Sequence, residues 1–451
     1  MIRFIEREQS EVIVMVTSES KIGSLLQPFQ RFGVNLGLDR IKKLLADLDN
    51  PQNKVPIIHV AGTNGKGSVC AYLSSILTES GYRVGRYTSP HLVDWTERIH
   101  LNEQAIATEE LIKLLQDVRG AIDAKAESPT QFEVITAAAW LYFARSQVDL
   151  AIIEVGLGGR LDATNVTDSS LISIITSLSR EHWQRLGPTL ADIAGEKAGI
   201  LKPNCPAIIG QLPSEAKEVV AAKVRELNCP VTWINPAQEI VIPQRDDVNW
   251  AKYENIKYPL PLLGKVQLNN SALAIAAIKN LQQQGWDIPE LAIQTGMRKT
   301  RWLGRLQWSN WQGHPLLIDG AHNTAAAIAL REYVNTLNKP VVWVMGMLST
   351  KDHQDILEVL LKPQDELHLV PVPDHSSAEP EELAAIAFNV CPQLNYCSTY
   401  ADVFTALKEA YLRVQTSETE KIVVLCGSLY LIGHLFQSQP YERSNKLVAA
   451  G

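Results

Sequence analysis

The sequence predicts an α/β protein built as two domains, each a mostly parallel sheet with helices on both faces. Three observations carry that expectation. Strand-like and helix-like segments alternate, which marks strand–helix–strand units. The alternation comes in two separate series, and 451 residues are too many for one ordinary core. A glycine-rich turn, 61-AGTNGKGSV-69, joins an apolar run to a helical pattern early in the first series.

In chain order, residues 1–20 read as an N-terminal extension. Glu6, Glu8 and Glu11 interrupt its short apolar pieces, and it lacks the basic start and long apolar core of a signal peptide. The first domain is expected over 21–300. Pro56–Ala61 is short, apolar and β-branched, hence a buried parallel strand, and from Ser68 the residues Val69, Leu73, Ile76 and Leu77 recur at helical spacing. Strands are expected at Arg83–Thr88, Leu150–Val155, Leu171–Thr176 and Ala207–Gly210, with helices at Glu109–Ala121 and Phe132–Arg145. A hinge is expected over 301–314, where Arg, Lys and Trp crowd the approach from Thr295 to Gln307. The second, smaller domain, 315–451, repeats the pattern. Its strands are Leu316–Asp319, Val341–Met345, Glu366–Val370 and Ile422–Leu425. Its helices are Ala325–Leu337, Asp352–Leu361, Glu381–Phe388 and Val403–Val414.

Composition narrows the function classes. Apolar residues make up 46% and charged residues 20%, the balance of a soluble globular chain. No run of about 18 uninterrupted apolar residues exists, so no membrane span is expected. A net charge of −7 argues against non-specific nucleic-acid binding. An anionic ligand must then be held by local groups. The six cysteines contain no C-x-x-C pair, which suits a reducing cytoplasm with thiols free and mostly buried.

The chemistry concentrates in a few short stretches. Gly62, Gly65 and Gly67 let the main chain approach a ligand, and the helix start beyond them offers unpaired N–H groups to an anion. Lys66 adds a mobile charge and Ser68 a hydroxyl for a metal ion or a cap. The fit to G-x-x-x-x-G-K-[ST] is imperfect, because Val60 replaces the first glycine and Gly67 separates Lys66 from Ser68. A plain glycine-rich turn is the competing reading. Ser89-Pro90-His91 is expected as a loop after a strand. Glu154 ends a buried strand that releases into Gly156, Gly158 and Gly159, the place where open parallel sheets bind ligands. A carboxylate there suits Mg²⁺. A dinucleotide fingerprint fails, since Leu161 stands where glycine is required and Asp162 comes too early. His182 follows another strand, and Glu196-Lys197 lies on or at the end of a helix. Taken alone, the histidine reads more readily as structural and the Glu-Lys pair as a solvated face.

Together with 301-RWLGRLQ-307, 318-IDGAHN-323 and 426-CGSLYL-431, these stretches resemble, in order and over nearly all of residues 21–437, the folylpolyglutamate synthases and dihydrofolate synthases. That family is a branch of the ATP-dependent Mur-type amide ligases. The resemblance implies a P-loop ATPase-like first domain and a Rossmann-like second one. It implies that Gly65, Lys66, Gly67 and Ser68 hold the ATP phosphates and that Ser89, Glu154, His182 and a carbamylated Lys197 serve two Mg²⁺ sites, with a monovalent cation as a further candidate. Asn270 matches the adenine-contacting asparagine, although the family's histidine is missing from 266-VQLNN-270. Arg305 and Asp319 match nucleotide-binding positions, and His322 and Ser428 would line the cleft for the amine. Thr130–Glu133 aligns with a pteridine-contacting segment, so Phe132 is a candidate for substrate binding, with a core role as its alternative. Two further departures are Glu181 where aspartate is usual and Thr324 where proline is usual. The implied activity joins L-glutamate to dihydropteroate, to reduced folates, or to both, through an acyl phosphate, in a cytoplasmic monomer. Lengthening of folate tails alone is the first alternative. A ligase of nucleotide-linked precursors would need a further domain ahead of Pro56. A non-catalytic nucleotide-binding regulator would not need Glu154, His182 and Lys197 together.

Overall fold

The computed structural model describes residues 18–438 apart from 31–32, 34, 124 and 243–247, with side chains from residue 21 onward. Nearly all of the stretch read as an extension, and the end of the second domain beyond 438, lie outside the described residues. Ser18–Gln30 forms a helix, so the expected start of the first domain at 21 falls inside its first turn.

The first sheet contains β1 (Ile57–Ala61), β2 (Val84–Tyr87), β3 (Ile99–Leu101), β4 (Gln104–Ala105), β5 (Leu150–Glu154), β6 (Ile172–Ile175), β7 (Ala207–Ile209) and β8 (Val231–Trp233). Their order is β4-β3-β2-β5-β1-β6-β7-β8, parallel from β2 to β8 with β3 and β4 antiparallel at one edge. β1 and β5 are buried along their whole length because helices cover both faces. Ile58 and Val60 pack with the helices Lys66–Glu79 and Val266–Gln283, whereas Ile57 and Ile153 pack with Thr108–Ala121 and Gln131–Arg145.

A small antiparallel sheet of β9 (Gln238–Ile240), β10 (Trp250–Tyr253) and β11 (Ile256–Pro259) extends the first of these cores. The second large sheet has β12 (Gln307–Trp311), β13 (His314–Ile318), β14 (Val341–Met345), β15 (Glu366–Leu369), β16 (Tyr396–Thr399) and β17 (Ile422–Cys426), in the order β12-β13-β17-β14-β15-β16. Only its edge strand β12 is antiparallel, and separate buried clusters fill both faces. The two-domain α/β expectation is met, and the predicted strands and helices end within two residues of the observed ones. One reading is corrected. Residues 301–314 contain β12, which belongs to the second sheet, so the connecting coil shrinks to 301–306. All six cysteines are free, four of them buried.

Candidate active site

β1 and β5 are neighbours at the middle of the first sheet, and their carboxyl ends carry the two central motifs side by side. After β1 the chain turns through Gly62–Gly65 and enters the helix Lys66–Glu79. The helix thus begins at Lys66, two residues before the expected Ser68, because Gly65 at φ 88° already acts as its cap. That φ suits glycine, and a Cβ there would also overlap the side chain of Asn270. Asn270, predicted from a weak motif, is buried against this turn with its amide donating to Gln267 Oε1 at 3.1 Å. The turn is pinned from β6: Thr63 N–H donates to Ser177 O at 2.7 Å and Thr176 Oγ1 donates to Asn64 O at 2.6 Å. Lys66 Nζ donates to Gly62 O and Thr63 O, both at 3.1 Å, so its charge lies across the turn. Ser68 is buried in the first helical turn.

Glu154 ends β5 as a buried carboxylate. Its Oε2 accepts the N–H of Ser89 at 3.2 Å, which brings two of the predicted metal ligands together. Burial pushes the Glu154 carboxyl up, opposed by Lys66, the Ser89 N–H and Arg305. His182, at φ 52°, precedes the short helix Trp183–Leu186. Burial lowers its imidazole to about 4 against the opposing pull of Glu181, so it is neutral near pH 7 and keeps a lone pair for a metal.

Lys197 is the clearest departure from the bland reading. It lies in the last turn of the helix Leu190–Ala198, is 6% exposed, and donates from Nζ to Gly62 O at 2.8 Å. Two lysines therefore share one carbonyl of the turn. Burial first, and then Lys66, lowers Lys197 to about 7. Its partner in sequence, Glu196, pairs instead with Arg160 at 2.7 Å.

Phe132 stands at the start of the helix Gln131–Arg145, half-buried, with its ring on the space a Cβ of Gly156 would need. Phe132 therefore borders the loop beyond Glu154.

The second domain contributes the loop after β13. Asp319 accepts Leu306 N–H and Ala321 N–H, each at 2.8 Å, while Arg305 donates to Gly320 O at 3.3 Å. Burial raises the Asp319 carboxyl, with Arg305 opposing. His322 places Nδ1 2.7 Å from Gly320 O and Nε2 3.1 Å from Glu181 Oε1 in the first domain. Lys351, after β14, reaches the same oxygen at 3.3 Å. Burial draws the Glu181 carboxyl upward, but His322, Lys351 and His182 outweigh it and hold it well below the usual carboxylate range. Asn64 and Asn323 exchange amide hydrogen bonds at 3.1 Å across the same boundary. Ser428 is buried beyond β17, where its Oγ accepts Tyr430 N–H at 3.2 Å.

The structure thus brings Ser89 to Glu154, Lys66 to Lys197, and His322 to the Glu181–His182 turn. Lys351, Asn64 and Asn323 were not singled out from sequence. Each lies just beyond the carboxyl end of a parallel strand, and that rule alone would have marked them. Among the described residues no three His, Cys, Asp or Glu side chains form a metal-holding group. Glu154 and His182 could nonetheless serve a hard divalent ion alongside a serine hydroxyl and phosphate oxygens.

Residues 60–278 match the Mur ligase middle domain and residues 305–438 match the C-terminal domain of dihydrofolate synthetase. With its cradle on one domain facing the Asp319–Asn323 loop of the other, the chain is an ATP-dependent ligase of the Mur type. It is 34% identical to the dihydrofolate synthetase of Saccharomyces cerevisiae, over 90% of this chain and 98% of that one. It is 33% identical to the dihydrofolate synthase/folylpolyglutamate synthase of Bacillus subtilis, over 93% and 99%. The chain belongs to the family of dihydrofolate synthases and folylpolyglutamate synthases. Among solved structures, Mycobacterium tuberculosis folylpolyglutamate synthase complexed with ADP and AMPPCP superimposes with a TM-score of 0.83 at 29% identity, covering 93% of this chain and 98% of that one. A bifunctional folylpolyglutamate synthase/dihydrofolate synthase with Mn, AMPPNP and L-glutamate bound gives 0.79 at 30% identity, over 93% and 98%.

Proposed function

We propose that this chain joins the amine of L-glutamate to the carboxylate of dihydropteroate, and to the terminal carboxylate of reduced folates, at the expense of ATP. The observation that carries the reading is the meeting of the Gly62–Ser68 turn, Glu154 and Lys197 at adjacent strand ends, facing His322 of the second domain. The bifunctional relatives support both acceptors, and Phe132 beside Gly156 offers an aromatic face for a pterin.

In this reading Gly65, Lys66, Gly67 and Ser68 hold the phosphates, Asn270 contacts adenine, and Arg305 and Asp319 hold the rest of the nucleotide. Ser89, Glu154 and His182, with Lys197 as its carbamate, hold divalent metal at two sites, and a monovalent cation is a third candidate. Bound metal supplies charge neutralisation at the phosphates. The acceptor carboxylate attacks the γ-phosphorus and ADP leaves, giving an acyl phosphate. The glutamate amine then attacks the acyl carbon, the tetrahedral intermediate loses phosphate with the C–O electron pair, and the nitrogen gives up a proton. Lys66 balances charge on the transferring phosphoryl group. His322 and Ser428 orient the amine from the second domain, and closing that domain keeps water from the acyl phosphate. The enzyme acts as a cytoplasmic monomer on small molecules, without nucleic acid. The net charge of −7 supports the last point, and no helix among the described residues is long and apolar enough to cross a membrane.

The test is ATP-dependent incorporation of labelled glutamate into dihydropteroate and, separately, into tetrahydrofolate. Incorporation into both is expected. Tetrahydrofolate alone would reduce the function to tail lengthening, dihydropteroate alone to the first addition, and neither would overturn the reading.

A further inference from the structure

The chain crosses once between the domains through residues 301–306, and its fastenings change sides at one residue. Thr300, 1% exposed, still donates its N–H to Gly296 O at 3.0 Å in the first domain. Trp302 lies over the phosphate turn. Its ring fills the space a Cβ on Gly67 would need, and it packs against the buried cluster beneath the helix Lys66–Glu79. On Trp302 also rests the guanidinium of Arg86, 5.5 Å from the ring centroid and itself paired with Glu103 at 3.0 Å. From Gly304 onward the hydrogen bonds run to the second domain, although the Leu306 side chain still packs beside Gly264 of the first. Gly304 O accepts Gly320 N–H at 2.8 Å, Gly304 N–H donates to Gln307 Oε1 at 2.9 Å, and Leu306 N–H donates to Asp319 at 2.8 Å. Between the two sets stands Leu303, 42% exposed, followed by Gly304 at φ 69°.

We propose that Trp302 is a positioning residue for the ligase reaction. It clamps the connecting strand of chain onto the phosphate turn, so that the second domain swings about the backbone of Leu303 and Gly304 from a fixed point. The inference rests on the ligase reading above. Hinges are a few residues that absorb the φ/ψ change, and their sharpness depends on how firmly the flanking residues are held. A flat ring caught between Gly67 and Arg86 can move only if the turn itself moves. Arg305 and Asp319 are therefore delivered to the nucleotide, and His322 to the amine, at a set distance from the first-domain residues of the site. Without the ring the swing starts from a loose tether, and the closed arrangement is reached less often. The phosphates and adenine, held by Gly65–Ser68 and Asn270 of the first domain, should be bound almost as before.

The test compares wild type, Trp302→Ala and Trp302→Phe. It uses kcat for glutamate-dependent phosphate release, ADP affinity by equilibrium dialysis, and small-angle scattering with and without AMPPNP. The expected result for Trp302→Ala is a fall in kcat of about tenfold to a hundredfold, since misplacement of about 1 Å can cost a hundredfold. ADP affinity should stay within about threefold, contraction on AMPPNP should be reduced, and Trp302→Phe should recover most of the rate. If the alanine variant melts below the assay temperature, Trp302→Leu, which keeps apolar bulk without the flat ring, carries the same comparison. Unchanged kcat in the ring-free variant would overturn the proposal. So would kcat and ADP affinity falling together, which would make Trp302 a wall of the nucleotide pocket and nothing more. If wild type releases no phosphate in response to glutamate, the ligase reading fails instead. Dialysis and scattering then still decide the hinge.

Discussion

Replacing Lys197 by arginine separates the two readings of that residue. Lys197 is 6% exposed and its Nζ lies 2.8 Å from Gly62 O. Burial, and after it Lys66, takes the ammonium from 10.5 to about 7, a difference worth roughly 5 kcal/mol. At pH 7 the neutral amine therefore rises from about one molecule in three thousand to about half. Neutral amine is the form that adds carbon dioxide, and the resulting carbamate offers a metal two oxygens in place of a positive charge. Arginine keeps the charge and much of the length, but its guanidinium stays protonated and forms no carbamate. The expected Lys197→Arg enzyme is folded, binds ADP, and has lost at least about a hundredfold in turnover, the scale for removing one preorganised electrostatic group. Both glutamate additions should fail together. The sign of the pH dependence follows from the lowered pKa: wild-type rates should fall as pH drops through about 7, as the amine takes up its proton. Labelled-glutamate incorporation at saturating ATP, on either side of pH 7 and with added bicarbonate, measures all of this. Near wild-type turnover by Lys197→Arg would refute the reasoning, and Lys197 would be a buried lysine capping a carbonyl.

If its charge serves the phosphates as proposed, Lys66→Ala should lower kcat/KM by about a hundredfold to a thousandfold with little change in the thermal melt, since its own bonds reach only the turn; rates near wild type would remove it from the phosphate site. In the proposed reading the Asn64–Asn323 and Glu181–Lys351 contacts form on domain closure, so the ligand-free protein should have a larger radius of gyration than the protein with AMPPNP and folate. Equal radii with binding confirmed would count against closure. Asp365→Ala should cost about 3–5 kcal/mol, since the buried carboxylate pairs with Arg331 at 2.8 Å and also accepts from Val341 N–H, Trp343 Nε1 and Lys362 N–H. A melt within a degree or two of wild type would contradict that accounting.

What could be read from the sequence follows from how local each signal is. β1 and β5 announce themselves, because strands buried on both faces need unbroken β-branched runs such as Ile57-Ile58 and Ile152-Ile153. The glycine turn was legible for the same reason: its backbone demands are met by the residues themselves. β12 was not, since Gln307–Trp311 is a half-polar edge strand that pairs, among the described residues, with β13 alone. β10 and β11 escaped because Lys252 faces Lys257 on their outer side while Ala251, Tyr253 and Tyr258 turn inward, over only four residues each. Lys197 reads locally as half of a solvated pair because its surroundings come from far along the sequence: Nζ reaches Gly62 O, and Gly159 packs on the helix backbone at Glu196 and Lys197. The meeting of Glu181 with His322 and Lys351 joins two domains, and no local pattern records it.

The position of β17 bears on how the molecule is made. The first sheet is complete once residue 233 has been synthesised, with β1 already flanked by β5 and β6. The second sheet is different: β17, its last strand in sequence, sits between β13 and β14. Until residues 422–426 leave the ribosome, β13 and β14 each present an open, apolar edge where their neighbour belongs. Such edges pair readily with other chains. During translation the nascent protein therefore carries a finished nucleotide domain and an unfinished partner. A messenger cut short before β17 would leave a product prone to aggregate rather than a weakened enzyme.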